Sequence, residues 1–83
     1  MFYCYILKSF RSFRYYIGVA ENIDERLKLH NTGRVKSTKK DKPWKVVYYE
    51  RFTTLRKARK RELQIKRWKS RKAIERLIKT FKI

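Results

Sequence analysis

Two aromatic segments near the start of the chain place the strongest constraint on its fold. Residues 2–7 read FYCYIL and residues 14–19 read RYYIGV, and both compositions are typical of β-strands. The KSFRSF between them is short and polar enough to be a loop, so the two segments are predicted to pair as an antiparallel hairpin. Because alternate residues of a strand face opposite sides, Cys4 and Tyr5 should lie on different faces of the hairpin.

A capped helix is predicted directly after this hairpin. Asn22 followed three residues later by Glu25 resembles a capping box, in which the first side chain accepts a hydrogen bond from the backbone of the third residue after it. The helix should cover 23–31 and stop near Gly33, because glycine readily adopts the left-handed conformation that ends many helices.

The remaining sequence predicts one more strand and two more helices. The predicted elements are a basic loop at 34–42, a strand at 44–52, a helix from a cap at Thr53 or Thr54 to about Lys69, and a helix over 71–81 capped by Ser70. We therefore predict a single domain, residues 1–83, of the α+β class with the element order β-β-α-β-α-α.

A large excess of positive charge predicts a polyanionic partner. The chain has 25 Lys and Arg residues against 7 Asp and Glu residues, which gives a formal net charge of +18 at pH 7. On a small folded domain this is typical of nucleic-acid binding, and a basic protein without such a partner is the weaker interpretation. The residues predicted to contact phosphates are Lys36, Lys39, Lys40 and Lys42 in the loop and Arg59, Arg61 and Lys66 in the second helix.

The cysteine content and the N-terminus predict a cytoplasmic protein. Cys4 is the only cysteine, so we expect neither a disulfide-linked partner nor a cysteine-based zinc site. The N-terminal MFYCYILKSF lacks the basic start and small-residue cleavage site of a secretion signal, and it is too short to span a bilayer. No membrane partner is expected.

Ionisable residues interrupt the apolar stripe of the first predicted helix. Arg26 and His30 lie on the same side of the helix as Ile23 and Leu27, and this side should pack on the sheet. We expect both side chains at the edge of the core, aimed across the sheet rather than into open water. The ordinary alternatives are a surface ion pair or phosphate contact for Arg26 and a half-buried helix position for His30.

Glu62 interrupts the corresponding stripe of the second helix. It is the only acid within residues 56–72, and a carboxylate is a suitable oxygen ligand for a divalent cation such as Mg²⁺. The opposing interpretation is an exposed ion pair with Lys66, because residues i and i+4 of a helix are neighbours. The apolar members of this stripe are Leu55, Ala58 and Ile65.

At these positions the sequence resembles the GIY-YIG endonuclease superfamily, in particular its small single-domain bacterial branch. The second half of the name motif is present as Tyr16-Ile17-Gly18, and Tyr3-Cys4-Tyr5 occupies the place of the first half with only its final tyrosine retained. Arg26, His30 and Glu62 match the superfamily's helix residues in order. The TGRVKSTKKDKPWKVVYYE segment is similar to the loop and third strand of the small branch.

The resemblance implies a fold, a reaction and a set of roles. The fold is a three-stranded antiparallel sheet flanked by helices, and the reaction is metal-dependent hydrolysis of DNA phosphodiester bonds, in a setting such as DNA repair or recombination. Glu62 would bind Mg²⁺ or Mn²⁺, and Arg26 would stabilise charge that develops on the phosphate. Tyr5, Tyr16 and His30 would position and deprotonate the attacking water, and which of them is the base stays open.

Two other functions are compatible with the sequence. A non-catalytic nucleic-acid-binding module on the same scaffold would need the positive charge and not Glu62, and a small basic ribosomal protein would not need that residue either. If the protein is a nuclease, its choice of target is expected to come from DNA shape, from an oligomer or from a targeting partner protein.

Overall fold

The chain folds into three strands and three α-helices in the predicted order, in a computed structural model that describes residues 1–81. The elements are β1 (Phe2–Ser9), β2 (Tyr15–Ala20), α1 (Ile23–Asn31), a 3₁₀ turn (Lys39–Asp41), β3 (Trp44–Phe52), α2 (Leu55–Arg67) and α3 (Arg71–Lys79). The order β-β-α-β-α-α and the α+β class are therefore confirmed.

The three strands form one antiparallel sheet in the order β2-β1-β3. The central strand β1 is paired along both sides, and Tyr5 lies opposite Gly18 of β2 and Tyr49 of β3. The register between β1 and β3 shifts by one residue at Ile6/Leu7. The three-stranded antiparallel sheet implied by the resemblance is confirmed.

Helices cover both faces of this sheet. Cys4 and Ile6 face α2 and α3, where they pack in a cluster that includes Ile65. Tyr5 and Leu7 face α1 and pack with Trp44, Ile23 and Leu27. Cys4 and Tyr5, adjacent in sequence, thus lie on opposite faces, because successive side chains of a strand alternate.

Each helix begins at a side-chain cap. Asn22, Thr54 and Ser70 each accept a hydrogen bond from the backbone N–H three residues further on, at 3.1, 3.2 and 3.2 Å, as capping residues do. Gly33 follows α1 with a φ of +78°, the conformation predicted for it. Within residues 1–81 no helix is long and apolar enough to span a membrane.

The later helices differ from the prediction at their ends. The second helix ends at Arg67 rather than Lys69, because Lys69 has a φ of +46° and Ser70 is extended to cap α3. The third ends at Lys79 because the Thr80 hydroxyl and N–H both bond to the Leu77 carbonyl. The helical stripe predicted Leu55 in the core, but Leu55 is 39% exposed. The buried residues of α2 begin only with its second turn, at Ala58 and Ile65.

Candidate active site

Three of the residues predicted to be catalytic form an aromatic cluster on the α1 face of the sheet. The ring centroids of Tyr16 and His30 are 4.7 Å apart, and the Tyr5 ring lies 6.4 Å from Tyr16 and 6.3 Å from His30. The Tyr5 hydroxyl is 3.3 Å from Nε2 of His30. Residues from β1, β2 and α1, distant in sequence, are therefore in contact.

His30 is more deeply buried than the sequence suggested, and Arg26 is less so. The His30 side chain is fully buried, whereas Arg26 is exposed. Burial of a polar ring is tolerated when its nitrogens have hydrogen-bond partners, and here Nε2 meets Tyr5 while Nδ1 lies 2.7 Å from Oγ1 of Thr38. The sequence predicted both side chains at the edge of the core. In the structure His30 lies inside the core, and Arg26 lies outside it.

Gly18 makes room for the Tyr5 ring. A Cβ atom placed on Gly18 would lie 2.7 Å from the Tyr5 hydroxyl oxygen, 2.8 Å from Cζ of the same ring and 3.0 Å from Cε2 of Tyr16. These distances are shorter than normal contacts, so a side chain at this position would displace a buried ring. The glycine of the Tyr16-Ile17-Gly18 motif is thus required by the cross-strand position of Tyr5.

We expect Gly18→Ala to destabilise the protein and to displace Tyr5. Forcing an extra methyl group into a packed site typically costs about 1–3 kcal/mol, and the Tyr5 ring, 1% exposed, has no open space into which to move. Chemical denaturation would give the change in the free energy of unfolding, and the NMR signals of the Tyr5 ring would report its displacement. A variant with wild-type stability and unchanged ring signals would contradict this account.

Two charged residues, Arg26 and Glu62, change the pKa of the Tyr5 hydroxyl. The pKa of Tyr5 is raised to about 12, first by burial and then by the neighbouring Tyr16, while Arg26 acts in the opposite direction. The negative charge of Glu62 is a smaller cause that also raises this pKa. At neutral pH the isolated protein therefore holds Tyr5 protonated, with its hydroxyl beside the His30 imidazole.

The pKa of His30 is lowered, first by burial and second by the positive charge of Arg26. Both causes disfavour the imidazolium. At neutral pH His30 is therefore an uncharged ring with one N–H donor and one nitrogen lone pair.

Glu62 comes from α2, yet its charge acts on both faces of the sheet. Besides Tyr5, it affects Cys4, whose pKa is raised to about 12 first by burial and then by the charges of Glu50 and Glu62. Its side chain is 15% exposed, and the carboxylate accepts a hydrogen bond from Nζ of Lys66 at 3.1 Å. The ion pair considered from the sequence is thus formed.

The donor atoms around Glu62 suit a hard cation bound by few protein ligands. Among residues 1–81 there is no group of three or more His, Cys, Asp or Glu side chains that could hold a metal. Zinc in proteins is held by three or four such ligands, whereas Mg²⁺ keeps several waters and takes oxygens from one or two carboxylates and from substrate phosphate. A single carboxylate among exposed basic residues suits Mg²⁺ or Mn²⁺ better than zinc.

The residues predicted to bind nucleic acid fall into two groups. Arg61 and Lys66 are engaged in ion pairs, Arg61 with Glu50 at 2.9 Å and Lys66 with Glu62. Arg61 also lies over the Trp68 ring, 5.6 Å from its centroid, which ties it to the protein core. The other five residues are exposed and take part in no ion pair among residues 1–81, and they are Lys36, Lys39, Lys40, Lys42 and Arg59.

Two further residues of the site were not identified from the sequence. Thr38 is 1% exposed and contacts His30, and Trp44 packs against Tyr16 with ring centroids 6.3 Å apart. Nε1 of Trp44 donates to the Thr38 carbonyl at 2.9 Å, and the Asn31 side chain bonds both backbone groups of Trp44. These contacts join the basic loop to β3 and α1, and no local pattern in the sequence indicates them.

Comparisons with known proteins agree with the fold and identify the family. The family profile described as the GIY-YIG catalytic domain matches residues 1–75. A UPF0213 protein of Staphylococcus saprophyticus is 38% identical over 74 residues, which are 88% of this chain and 89% of the relative, and one of Bacillus licheniformis is 43% identical over 92% and 77%. The solution NMR structure of a UPF0213 protein of Bacillus halodurans has a TM-score of 0.60 at 29% identity and covers 96% of this chain and 85% of its own.

Proposed function

This chain belongs to the GIY-YIG catalytic-domain family, which is a family of nucleases, and from that premise we propose that it is a divalent-metal-dependent DNA endonuclease. The reaction is hydrolysis of a phosphodiester bond, with the chain acting in the cytoplasm in DNA repair or recombination. The net charge of +18 supports a nucleic-acid substrate.

The observation that carries this proposal is the environment of the Tyr5 hydroxyl. An imidazole, a guanidinium and a carboxylate, from His30, Arg26 and Glu62, all act on this one group. These are the chemical types that general base catalysis and stabilisation of phosphate charge require.

In the proposed mechanism, Arg26 binds the scissile phosphate. Its exposed, planar guanidinium presents several N–H donors to phosphate oxygens and stabilises the charge that increases on them as water attacks. Its positive charge acts to lower the pKa of both Tyr5 and His30. Glu62 would hold Mg²⁺ or Mn²⁺, which when bound supplies a Lewis acid for the phosphate oxygens.

The attacking water is positioned and deprotonated by Tyr5, Tyr16 and His30. His30 is fully buried, so it reaches a water molecule only through a tyrosine, whereas Tyr16 is partly exposed. A neutral His30 can accept a proton, and Tyr5 is the group in contact with it. The order of proton transfer among the three is part of the proposal.

A non-catalytic nucleic-acid-binding module is the second candidate, and one observation favours it. The Glu62–Lys66 ion pair occupies the proposed metal ligand in the isolated protein. A cleavage assay on single-stranded, duplex, flap and junction DNA, with and without Mg²⁺ or Mn²⁺, decides between the two. Metal-dependent products support the nuclease, and binding without products under every condition supports the module.

We expect the double substitution Lys39→Ala and Lys40→Ala to weaken DNA binding regardless of sequence. Both lysines are exposed in the loop beside Thr38, and each phosphate contact that is lost should flatten the plot of log affinity against log salt by about 0.9. The matched control is Lys72→Ala with Lys79→Ala on α3, which removes the same charge from two other exposed positions. Equal salt slopes for the two double variants would exclude the loop from the DNA-binding surface.

A further inference from the structure

Thr38 is a buried residue whose side chain does not cap the 3₁₀ turn that it precedes. It precedes the 3₁₀ turn Lys39–Asp41 at the capping position, yet its hydroxyl makes no capping hydrogen bond there. The Thr38 carbonyl is held by the N–H of Asp41 and by Nε1 of Trp44, and its N–H bonds to the Val35 carbonyl. Its backbone is therefore fixed, and its hydroxyl is directed at Nδ1 of His30 at 2.7 Å.

The Thr38 hydroxyl is one link in a continuous series of hydrogen bonds through His30. The Tyr5 hydroxyl meets Nε2 of His30 at 3.3 Å, and Nδ1 of the same ring meets Oγ1 of Thr38 at 2.7 Å. The Thr38 hydroxyl in turn lies 3.3 Å from the Val35 carbonyl oxygen. The ring of His30 is thus held at both nitrogens by buried hydroxyl groups.

The Val35 end of this series determines its direction, because a carbonyl oxygen can only accept hydrogen bonds. Thr38 directs its proton to the Val35 carbonyl, which also accepts two backbone N–H groups. The Thr38 oxygen then accepts from His30, so Nδ1 carries the ring proton and Nε2 accepts the proton of Tyr5.

The reverse direction leaves a buried proton without an acceptor. If Thr38 donated to Nδ1, then Nε2 would carry the ring proton and donate it to Tyr5. The Tyr5 hydroxyl would then accept from His30, and its own proton would have no acceptor among its described hydrogen-bond partners. Leaving a buried donor without a partner is unfavourable, so the forward direction is preferred.

We propose that Thr38 is a positioning residue that fixes His30 as the tautomer protonated at Nδ1, with the Nε2 lone pair directed at the Tyr5 hydroxyl. The nitrogen of a histidine that carries the proton is set by the hydrogen bond that the other nitrogen makes. With this tautomer His30 accepts the Tyr5 hydrogen bond, and the ring is ready to take the Tyr5 proton when Tyr5 takes one from water. The catalytic part of this role rests on the proposed nuclease function, whereas the tautomer does not.

The tautomer is directly measurable because His30 is the only histidine in the chain. In the ring ¹⁵N NMR spectrum of the full-length protein at pH 7.5, we expect a protonated Nδ1 and an unprotonated Nε2. Thr38→Val keeps the shape of the side chain but removes the hydroxyl, so we expect its ring to change to the tautomer protonated at Nε2. Thr38→Ser keeps the hydroxyl and should give the wild-type pattern.

The same variants should separate positioning from stability in the cleavage assay. We expect Thr38→Val to lower kcat by about 100-fold, the size of effect that loss of one aimed hydrogen-bonding group has in other enzymes, with little change in DNA affinity, and Thr38→Ser to restore most of the rate. The matched control is Thr32→Val, which removes an exposed hydroxyl that bonds to the α1 backbone and not to His30. That control should leave the His30 spectrum unchanged.

Three outcomes would overturn the proposal. They are a wild-type ring protonated at Nε2, a Thr38→Val ring that keeps the wild-type tautomer, and a Thr38→Ser ring that fails to keep it. If Thr38→Val does not fold, the wild-type and Thr38→Ser spectra still decide the assignment. If the tautomers behave as expected but the wild-type protein does not cleave DNA either, the nuclease proposal fails and the role of Thr38 in setting the tautomer stands.

Discussion

Glu62→Gln is expected to lower metal-dependent DNA cleavage by more than about 100-fold while leaving the fold intact. The amide has nearly the size of the carboxylate but lacks the negative charge that Mg²⁺ prefers in an oxygen ligand. Loss of the ion pair with Lys66 should cost no more than about 0.5 kcal/mol of unfolding free energy, as for other i, i+4 pairs. DNA affinity should hold or increase, because one negative charge is removed from a basic surface.

Helix α3 provides a matched control for this variant. Glu75 forms the same kind of pair with Arg71, at 3.5 Å, so Glu75→Gln removes one helical ion pair without touching the candidate site. Cleavage rate, melting temperature and DNA affinity measured on both proteins separate the two interpretations of Glu62. If Glu62→Gln cleaves DNA as well as Glu75→Gln does, Glu62 is a structural partner of Lys66 and the metal assignment is wrong.

Arg26→Lys is expected to give the other large effect, a loss of cleavage of about 100-fold with near-normal DNA binding. Lysine keeps the positive charge but loses the planar set of donors that matches phosphate oxygens. The side chain is exposed on α1, so the substitution should not disturb the core. Single-turnover cleavage and an equilibrium binding titration on the same substrate would measure the two effects separately.

Arg34→Lys is the control for this substitution. Arg34 is exposed just beyond α1 and has no role in the proposed mechanism, so the same chemical change there should leave the cleavage rate unaltered. Equal rates for Arg26→Lys and the wild type would mean that Arg26 contributes only its charge. The proposed stabilisation of phosphate charge would then have to come from another residue.

The parts of the fold that depend on local signals were predictable from the sequence. Asn22, Thr54 and Ser70 cap their helices as expected, and β3 covers the predicted residues 44–52, because capping and strand propensity act over a few neighbouring residues. The ends of α2 and α3 were less predictable. There the left-handed conformation of Lys69 and the bonds of Thr80 end the helices earlier than the apolar pattern does.

The candidate site was predictable only where a motif or a helical stripe marks it. Tyr5, Tyr16 and His30 were expected to meet, and their rings are in contact. Thr38 and Trp44 were not identified, because they join the site through contacts between elements that are far apart in sequence. The catalytic and metal-binding roles stay predictions, to be tested by the variants described above.

Strand β2 lies at the edge of the sheet, so the candidate site combines residues of an edge strand with residues of the central strand. Strand β1, with Tyr5, is bonded on both sides, whereas β2, with Tyr16 and Gly18, is bonded to one neighbour. Partial opening of an edge strand requires less free energy than global unfolding. The Tyr5–Tyr16 contact can therefore be lost in molecules whose remaining structure is intact, so activity should decline on warming before the helices melt.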